Sequence, residues 1–208
     1  MAANWMHPSS SSVVAILIAI SFAAGLNVYA TVASLGLLAR AHLVILPQSL
    51  HLLQDNWVIG ASLALFLIEF FGDKVPAFDL FWNALHTFVR VPVAALLSYL
   101  AAAQLSPEMK LFCTLLGGLI ALAAHGGKTA ARTAVTPSPE PLSNISLSLG
   151  EDAAAIALTW LATKHPYLAA GIALFGVALA IVFVHVVIRS LRSLFRGAGR
   201  SVENAKSG

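Results

Sequence analysis

The chain has 208 residues, of which 59% are hydrophobic and only 10% are charged. A soluble domain has about 45–50% apolar and about 25% charged residues, so this composition excludes an ordinary soluble protein, and its apolar content excludes a disordered one. The net charge is +3 without a basic cluster on a soluble face, which argues against nucleic-acid binding. The single cysteine, Cys113, excludes an intrachain disulfide. The composition therefore predicts an integral membrane protein.

Six stretches of the chain approach the length and polarity of a membrane segment, for which about 20 mostly apolar residues are needed. They are residues 13–38, 57–72, 77–105, 110–124, 149–163 and 167–188. Residues 57–72 and 149–163 are short, so the sequence leaves open whether they cross fully or re-enter. Six crossings would bring both termini to one side. That side would carry eight Lys and Arg residues against three on the other, which predicts that it is cytoplasmic.

The two halves of the chain are weakly alike. A shift of 90 residues brings six residues of the first half onto identical residues of the second, and Lys74 and Pro76 thereby match Lys164 and Pro166. Because each half has three segments, an odd number, the second half would be inverted, as in many transporters. Chance similarity among Ala- and Leu-rich helices is the alternative. The predicted parts of this all-α fold are a tail at residues 1–12, inverted repeats with broken or re-entrant helices at residues 13–105 and 106–188, and a basic interfacial helix and tail at residues 189–208.

Each half also contains a polar interruption with glycine, at residues 25–29 and at residues 125–128. Glycine lowers the cost of leaving helical geometry, and unwound backbone groups can bind a polar substrate. We predict that both stretches are non-helical and meet around a polar cavity, where Lys128 supplies a positive charge for an anionic ligand. The alternative is close helix packing through small residues.

Ionisable residues at membrane depth recur at helical spacing, which predicts that they share helix faces. Because a charge near mid-bilayer costs at least about 2.5–3.5 kcal/mol, we expect Arg90 to be buried and paired with Glu69, Asp73 or Asp79. Asp73 and Glu151 have plainer explanations, a membrane boundary and a helix N-terminus. The predicted substrate-binding residues are Asn27, Tyr29, Thr31, His125, Lys128, Thr129 and Arg132. The predicted coupling or gating residues are Glu69, Asp73, Lys74, Asp79, His86, Arg90, Glu151 and Asp152.

Five short motifs resemble those of a known family. They are GLNVYAT at residues 25–31, EFFGDKVP at residues 69–76, HTFVR at residues 86–90, HGGK at residues 125–128, and Glu151-Asp152. In this combination the chain resembles, over residues 13–187, a bacterial membrane family that is catalogued only as a domain of unknown function. Val28 stands where members of that family have proline or a similar residue between Asn and Tyr. The resemblance implies an inner-membrane location and no established activity.

The pattern favours a membrane transporter or lipid flippase for an anionic or zwitterionic substrate, such as a phosphate-bearing lipid or metabolite, with proton coupling. An intramembrane enzyme acting on lipid headgroups is the first alternative, with a metal at Glu69, Asp73, Glu151 and Asp152, although none of the common catalytic motifs is present. An ion channel or a structural membrane partner is the second. No cofactor is predicted, and metal binding and homo-oligomerisation are left open. The predicted contacts with anionic lipid are Arg189, Arg192, Arg196 and Arg200.

Overall fold

A computed structural model describes the backbone of residues 9–72, 76–135 and 141–207, and the side chains of residues 9–72, 85–134 and 145–193. Every regular element in these ranges is helical, as the composition predicts. The elements are α1 (Ser10–Leu26), α2 (Val28–Arg40), a short 3-10 helix (Gln48–Gln54), α3 (Asn56–Gly72), α4 (Pro76–Ala101), α5 (Pro107–Val135), α6 (Pro141–Lys164) and α7 (Pro166–Ser207).

The last four helices all begin at a proline: Pro76, Pro107, Pro141 and Pro166. The first residue of a helix has no intrahelical partner for its N–H group, and the proline ring already holds the helical φ angle, so proline is favoured at this position. The sequence thus fixes where α4, α5, α6 and α7 start.

Asn27 separates α1 from α2. Its backbone is extended, with φ −149° and ψ 105°, and its side-chain Oδ1 accepts a hydrogen bond from the N–H of Ala30 at 2.9 Å. An asparagine oxygen in this position satisfies one of the unpaired donors at a helix N-terminus, so Asn27 ends one helix and starts the next. The predicted interruption of residues 25–29 is therefore found at Asn27 alone, whereas residues 25–26 and 28–29 are helical.

The start of α1 and the end of α2 lie at the same end of the bundle. Ser11 Oγ lies 3.1 Å from Tyr167 Oη at the start of α7. Lys164, three residues earlier in the chain, donates from Nζ to the carbonyl oxygen of Leu43, just beyond α2, at 3.1 Å. We call this the Ser11 end.

The turn at Asn27 lies far from that end. Asn27 contacts Asp152, which precedes Lys164 by twelve residues in α6, or about 18 Å of helix. The chain therefore reverses at Asn27, and α1 and α2 enter and leave at the Ser11 end. The prediction that residues 13–38 form one crossing is wrong, because the cap at Asn27 redirects the chain.

The remaining helices alternate in direction. Arg40 donates to the side-chain oxygen of Asn56, so α3 starts at the Ser11 end, and the contact of Glu69 with Arg90 places its last turn at the opposite end. From there α4 returns, α5 leads away, α6 returns, and α7 leads away again. We call the opposite end the Arg132 end. The start of α1 and the last turns of α7 therefore lie at opposite ends of the bundle.

Small residues let α1, α4 and α5 approach closely. The hydroxyl oxygens of Ser21 and Ser98 lie 3.1 Å apart beside Gly117, and all these positions are buried or face another helix. Close backbone approach through Gly, Ala and Ser is the usual way in which helices associate within a membrane. Alanines are accordingly as frequent as the larger Val, Ile and Leu residues in the buried core.

We expect the substitution Gly25→Ala to destabilise the protein by about 1–3 kcal/mol, because it overpacks this interface. A Cβ at Gly25 would lie 2.6 Å from the carbonyl oxygen of Ala121 and 2.7 Å from the Cβ of Ala124. Gly150→Ala is the matched control, since a Cβ there has no atom within 4 Å and alanine favours the helix. Thermal unfolding in detergent measures both variants, and equal melting temperatures would contradict the packing described.

The second predicted interruption is wrong. α5 runs without a break from Pro107 to Val135, through residues 125–128. A Cβ at Gly127 would lie 2.5 Å from the Cβ of Ala180, so this glycine permits close packing against α7 instead of unwinding α5. Likewise α7 continues past residue 188 to Ser207 as one helix, without a separate interfacial helix.

Within the part of the chain that the structure describes, three helical stretches are long and apolar enough to cross a membrane. They are Pro107–Ala134, Ile145–Lys164 and Pro166–Ser193. A fourth crossing is possible if the 3-10 helix and α3, which meet at 62°, count as one span, and Ser10–Leu26, Val28–Arg40 and Leu85–Ala101 are shorter apolar helices. The large apolar residues of α3 and α7 point outwards, as lipid-facing residues would. These features make the chain a membrane protein.

Candidate functional site

Six ionisable side chains meet beside the break at Asn27. We call them the charge cluster: Glu69, Arg90, Lys128, Arg132, Glu151 and Asp152, contributed by α3, α4, α5 and α6. Each is buried, and none exposes more than 8% of its surface. Three of them carry a positive charge and three a negative charge. The cluster is therefore close to electrically neutral as a unit.

Arg90 and Glu69 form the fully buried pair of the cluster. Arg90 donates from Nη2 to Glu69 Oε1, and both side chains have zero exposure. The prediction that Arg90 is buried and paired with a carboxylate is confirmed. Burying two charges is costly even when they pair, but removing one partner alone is more costly still, about 3–5 kcal/mol.

His125, on α5, connects Arg90 to Thr87 on α4. Arg90 donates from Nη1 to His125 Nδ1 at 2.8 Å, and His125 Nε2 lies 2.8 Å from Thr87 Oγ1. A guanidinium group cannot accept a hydrogen bond, so Nδ1 is unprotonated and the ring proton is on Nε2, which donates to the threonine hydroxyl. Arg90 thereby holds His125 in its neutral form.

Lys128 lies between two of the three carboxylates of the cluster. Its Nζ lies 3.4 Å from Glu69 Oε1 and 3.2 Å from Glu151 Oε2, and it donates to the carbonyl oxygen of Leu26 at 3.3 Å. That carbonyl belongs to the last residue of α1, where the helix no longer satisfies it. The positive charge predicted at Lys128 is therefore flanked by two carboxylates.

The far side of the cluster connects α5 and α6 to the helix break. Arg132 donates from Nη2 to Glu151 Oε2 at 2.7 Å. Asn27 donates from Nδ2 to Asp152 Oδ1 at 2.8 Å while its own oxygen caps α2. Asn27 thus links the helix break to the charge cluster through its hydrogen bond with Asp152.

Tyr29 and His86 form a second polar pair close to the break. Tyr29 Oη lies 3.0 Å from His86 Nε2, and the two rings meet edge to face with centroids 5.5 Å apart. His86 is buried and lies one turn before Arg90 on α4. The pair therefore borders the charge cluster, as the four-residue spacing predicts.

Two predicted substrate-binding residues use their hydroxyl protons locally. Thr31 donates to the carbonyl oxygen of Asn27 at 2.8 Å, and Thr129 donates to that of His125 at 2.9 Å. These are bonds to the preceding turn of the same chain segment, a common arrangement for threonine in membrane helices. Among the described residues, neither threonine side chain bonds to the charge cluster, so both are weaker candidates than Asn27 and Lys128.

Two atoms of the Arg90–Glu69 pair are buried without a hydrogen-bond partner among the described residues. They are Glu69 Oε2 and Arg90 Nε. Buried polar atoms in native proteins are nearly always satisfied, by protein or by another bound group. One acceptor and one donor at the centre of the cluster are therefore left unsatisfied by the described residues.

A comparison with protein-family models identifies the chain. The family described as Domain of unknown function (DUF4126) matches residues 14–186. The chain belongs to this family. The matched residues of this DUF4126 protein include the break at Asn27 and all six members of the charge cluster. No curated protein and no solved structure matches the chain.

Three predicted coupling residues of the DUF4126 protein lie outside the described residues. Asp73 and Lys74 fall between α3 and α4, and the side chain of Asp79 is not described although its backbone belongs to α4. Among the described side chains, no group of three or more His, Cys, Asp or Glu residues is arranged to hold a metal ion.

Two hydrogen-bond partners in the site of this DUF4126 protein were not predicted from the sequence. Thr87 binds His125, and the carbonyl oxygen of Leu26 binds Lys128. Thr87 follows His86 within the HTFVR motif and lies three residues before Arg90, so helical spacing could have placed it on the same face as Arg90. The carbonyl oxygen of Leu26 could not be predicted as a partner from the sequence, because it becomes available only where α1 ends.

Proposed function

We propose that this protein is a membrane transporter whose substrate binds at the charge cluster. The observation that carries the proposal is the burial of six ionisable side chains from four helices beside a helix break. Ionisable residues inside membrane helices are expensive and mark substrate or ion pathways. Helices interrupted at membrane depth are likewise typical of transporter binding sites.

The balance of charge favours a zwitterionic substrate. Glu69 Oε2 can accept a hydrogen bond from an ammonium group, and Arg90 Nε can donate one to a phosphate or carboxylate oxygen. A simple anion would leave the carboxylates that flank Lys128 without compensation. We therefore propose a zwitterionic molecule with a phosphate group, either a lipid headgroup or a small metabolite.

We propose that protons accompany the substrate through the groups that border the cluster. Tyr29 and His86 form a hydrogen-bonded pair next to Arg90, and the cluster supplies three carboxylates. Chains of histidine and carboxylate groups are the usual proton relays of membrane transporters. The neutral state of His125 leaves it able to take up a proton once Arg90 moves away.

We propose an inverted repeat in which α2, α3 and α4 correspond to α5, α6 and α7, with α1 outside the repeat. A shift of 90 residues places α3 on α6 and the start of α4, Pro76, on the start of α7, Pro166. The corresponding helices run in opposite directions between the Ser11 end and the Arg132 end, which supports a rotation axis in the membrane plane. The repeat then consists of six membrane segments, α2 to α7, and α2 returns to the end of the bundle at which α1 enters.

We propose a bacterial inner-membrane location with the Arg132 end in the cytoplasm. Arg189 and Arg192 lie on α7 at that end, and Arg196, Arg200 and Lys206 follow on the same helix, so the excess of basic residues is there. Because the chain reverses at Asn27, we propose that the start of α1 lies on the other side, instead of both termini being cytoplasmic.

We propose that anionic lipid binds at the basic end of α7. A cavity of about 500 Å³ there is lined by His185, Arg189 and Arg192. Arginine recognises phosphate through paired N–H donors, which suits the headgroups of the cytoplasmic leaflet.

The double variant Lys128→Met/Glu151→Gln tests the transport proposal. It removes one charge of each sign, so the cluster stays neutral and the Arg90–Glu69 pair is kept. In proteoliposomes we expect the wild-type protein to flip a headgroup-labelled phosphatidylethanolamine or to take up phosphoethanolamine, and we expect the double variant to lose that activity. The two probes distinguish a lipid substrate from a soluble one.

Lys164→Met is the control for this experiment, because it removes a positive charge at the Ser11 end, outside the cluster. We expect it to keep the wild-type rate. Full activity of the folded double variant, or wild-type protein that moves neither probe, would contradict the proposal.

A further inference from the structure

An apolar groove runs along the outside of the bundle where α1, α5 and α7 meet. It has a volume of about 400 Å³, within the range of about 300–1,000 Å³ that is usual for ligand sites. Phe22, Leu179, Phe183 and Val186 are among its lining residues, and Lys128 is the only ionisable one among the described residues that line it. The groove is shallow enough to be filled from the side.

The groove opens towards lipid rather than towards water. It lies in the middle of the Pro166–Ser193 stretch of α7, the most apolar candidate span, of which only 6% is buried inside the protein. Val182 and Val186, which line the groove, are 60% and 54% exposed. At this depth the molecules that surround the protein are the acyl chains of the bilayer.

Lys128 connects the groove to the charge cluster. The side chain lines the groove, while its Nζ lies among Glu69, Glu151 and the carbonyl oxygen of Leu26. A molecule with an apolar chain in the groove would therefore have its polar end next to the cluster, separated from it by one flexible lysine side chain.

We infer that the groove holds an acyl chain of a membrane phospholipid, whose headgroup is directed towards the charge cluster. This inference rests on the proposed function and identifies its substrate as a lipid that enters from the side. An acyl chain gains little on moving from the bilayer into an apolar groove, because both surroundings are equally apolar. The headgroup therefore determines which lipid binds, and the groove determines where the chain lies.

Photolabelling of the full chain tests this inference. The probe is phosphatidylethanolamine with a diazirine on one acyl chain, in vesicles of phosphatidylethanolamine and phosphatidylglycerol, and mass spectrometry locates the adducts. We expect adducts to concentrate on Phe183 and Val186 in the groove, relative to Phe175, which is 66% exposed but outside the groove.

Val182→Trp and Ile181→Trp are the matched variants. The two positions are adjacent on α7 and similarly exposed, at 60% and 51%, but only Val182 lines the groove. We expect loss of groove labelling in Val182→Trp and unchanged labelling in Ile181→Trp. Equal labelling of groove and outer face, or labelling that survives Val182→Trp, would overturn the inference. Groove-specific labelling in a protein without transport activity would instead refute only the proposed function.

Discussion

Replacing Arg90 with methionine is expected to destabilise the protein by about 3–5 kcal/mol, the cost of removing one partner of a buried ion pair, because Glu69 then keeps only Lys128, at 3.4 Å, as a partner. Arg90 and Glu69 are both fully buried, and Arg90 also holds His125. Methionine keeps much of the volume, so the effect reports the charge and the hydrogen bonds rather than a cavity. Thermal unfolding in detergent measures the loss.

The double variant Arg90→Met/Glu69→Leu is the control for this effect. It removes the pair as a unit, and Lys128 keeps Glu151 as its partner at 3.2 Å. We expect it to recover most of the stability that the single variant loses, because an apolar replacement of a buried ion pair is often neutral. An Arg90→Met variant that melts with the wild type would show that Glu69 does not depend on this arginine.

Replacing Asn27 with alanine is expected to cost about 2–4 kcal/mol, because two functions of one side chain are lost. Its oxygen caps α2 at 2.9 Å from the Ala30 nitrogen, and its amide donates to Asp152 at 2.8 Å. The alanine variant leaves the start of α2 uncapped and deprives a buried carboxylate of a donor. The measurement is again thermal unfolding in detergent.

An exchange of the two side chains separates the cap from the contact with Asp152. Asn27→Asp keeps an oxygen for the cap but faces Asp152 with a second carboxylate, so we expect a severe loss of stability. Adding Asp152→Asn restores one amide and one carboxylate at the same distance, and we expect the double variant to recover. A double variant as unstable as Asn27→Asp would contradict the described hydrogen bond.

The charge cluster could be predicted from the sequence because a charged side chain within a membrane must face the protein interior and pair with another polar group. The cost of an unpaired Arg90 predicts a carboxylate partner, and helical spacing predicts that His86 and Arg90, or His125 and Lys128, share a face. The structure confirms the carboxylate partner of Arg90, and it places each spaced pair, all of them buried, on one continuous helix. The spacing within a helix does not say which helices meet, so the choice of Glu69 among three carboxylates stayed open.

The backbone of the two glycine-containing stretches was harder to predict. Glycine lowers the cost of unwinding and also lets helices approach closely, and the sequence does not distinguish these uses. The side chain of Asn27 caps α2 and so ends α1, whereas residues 125–128 contain no Ser, Thr, Asp or Asn side chain to cap a new helix, and α5 continues. The reversal at Asn27 depends on contacts with α6 and α7, which are distant in the chain.

A transporter exposes its binding site to each side of the membrane in turn, so cysteine accessibility at Ser148 tests most directly the proposal that the charge cluster is such a site. Ser148 is fully buried and lies one turn before Asp152 on α6. In a Cys113→Ala background, we expect Ser148→Cys to react with a membrane-impermeant thiol reagent added to either side of oriented vesicles, and zwitterionic phospholipid to slow both reactions. A cysteine there that reacts from one side only, or from neither, would contradict the account.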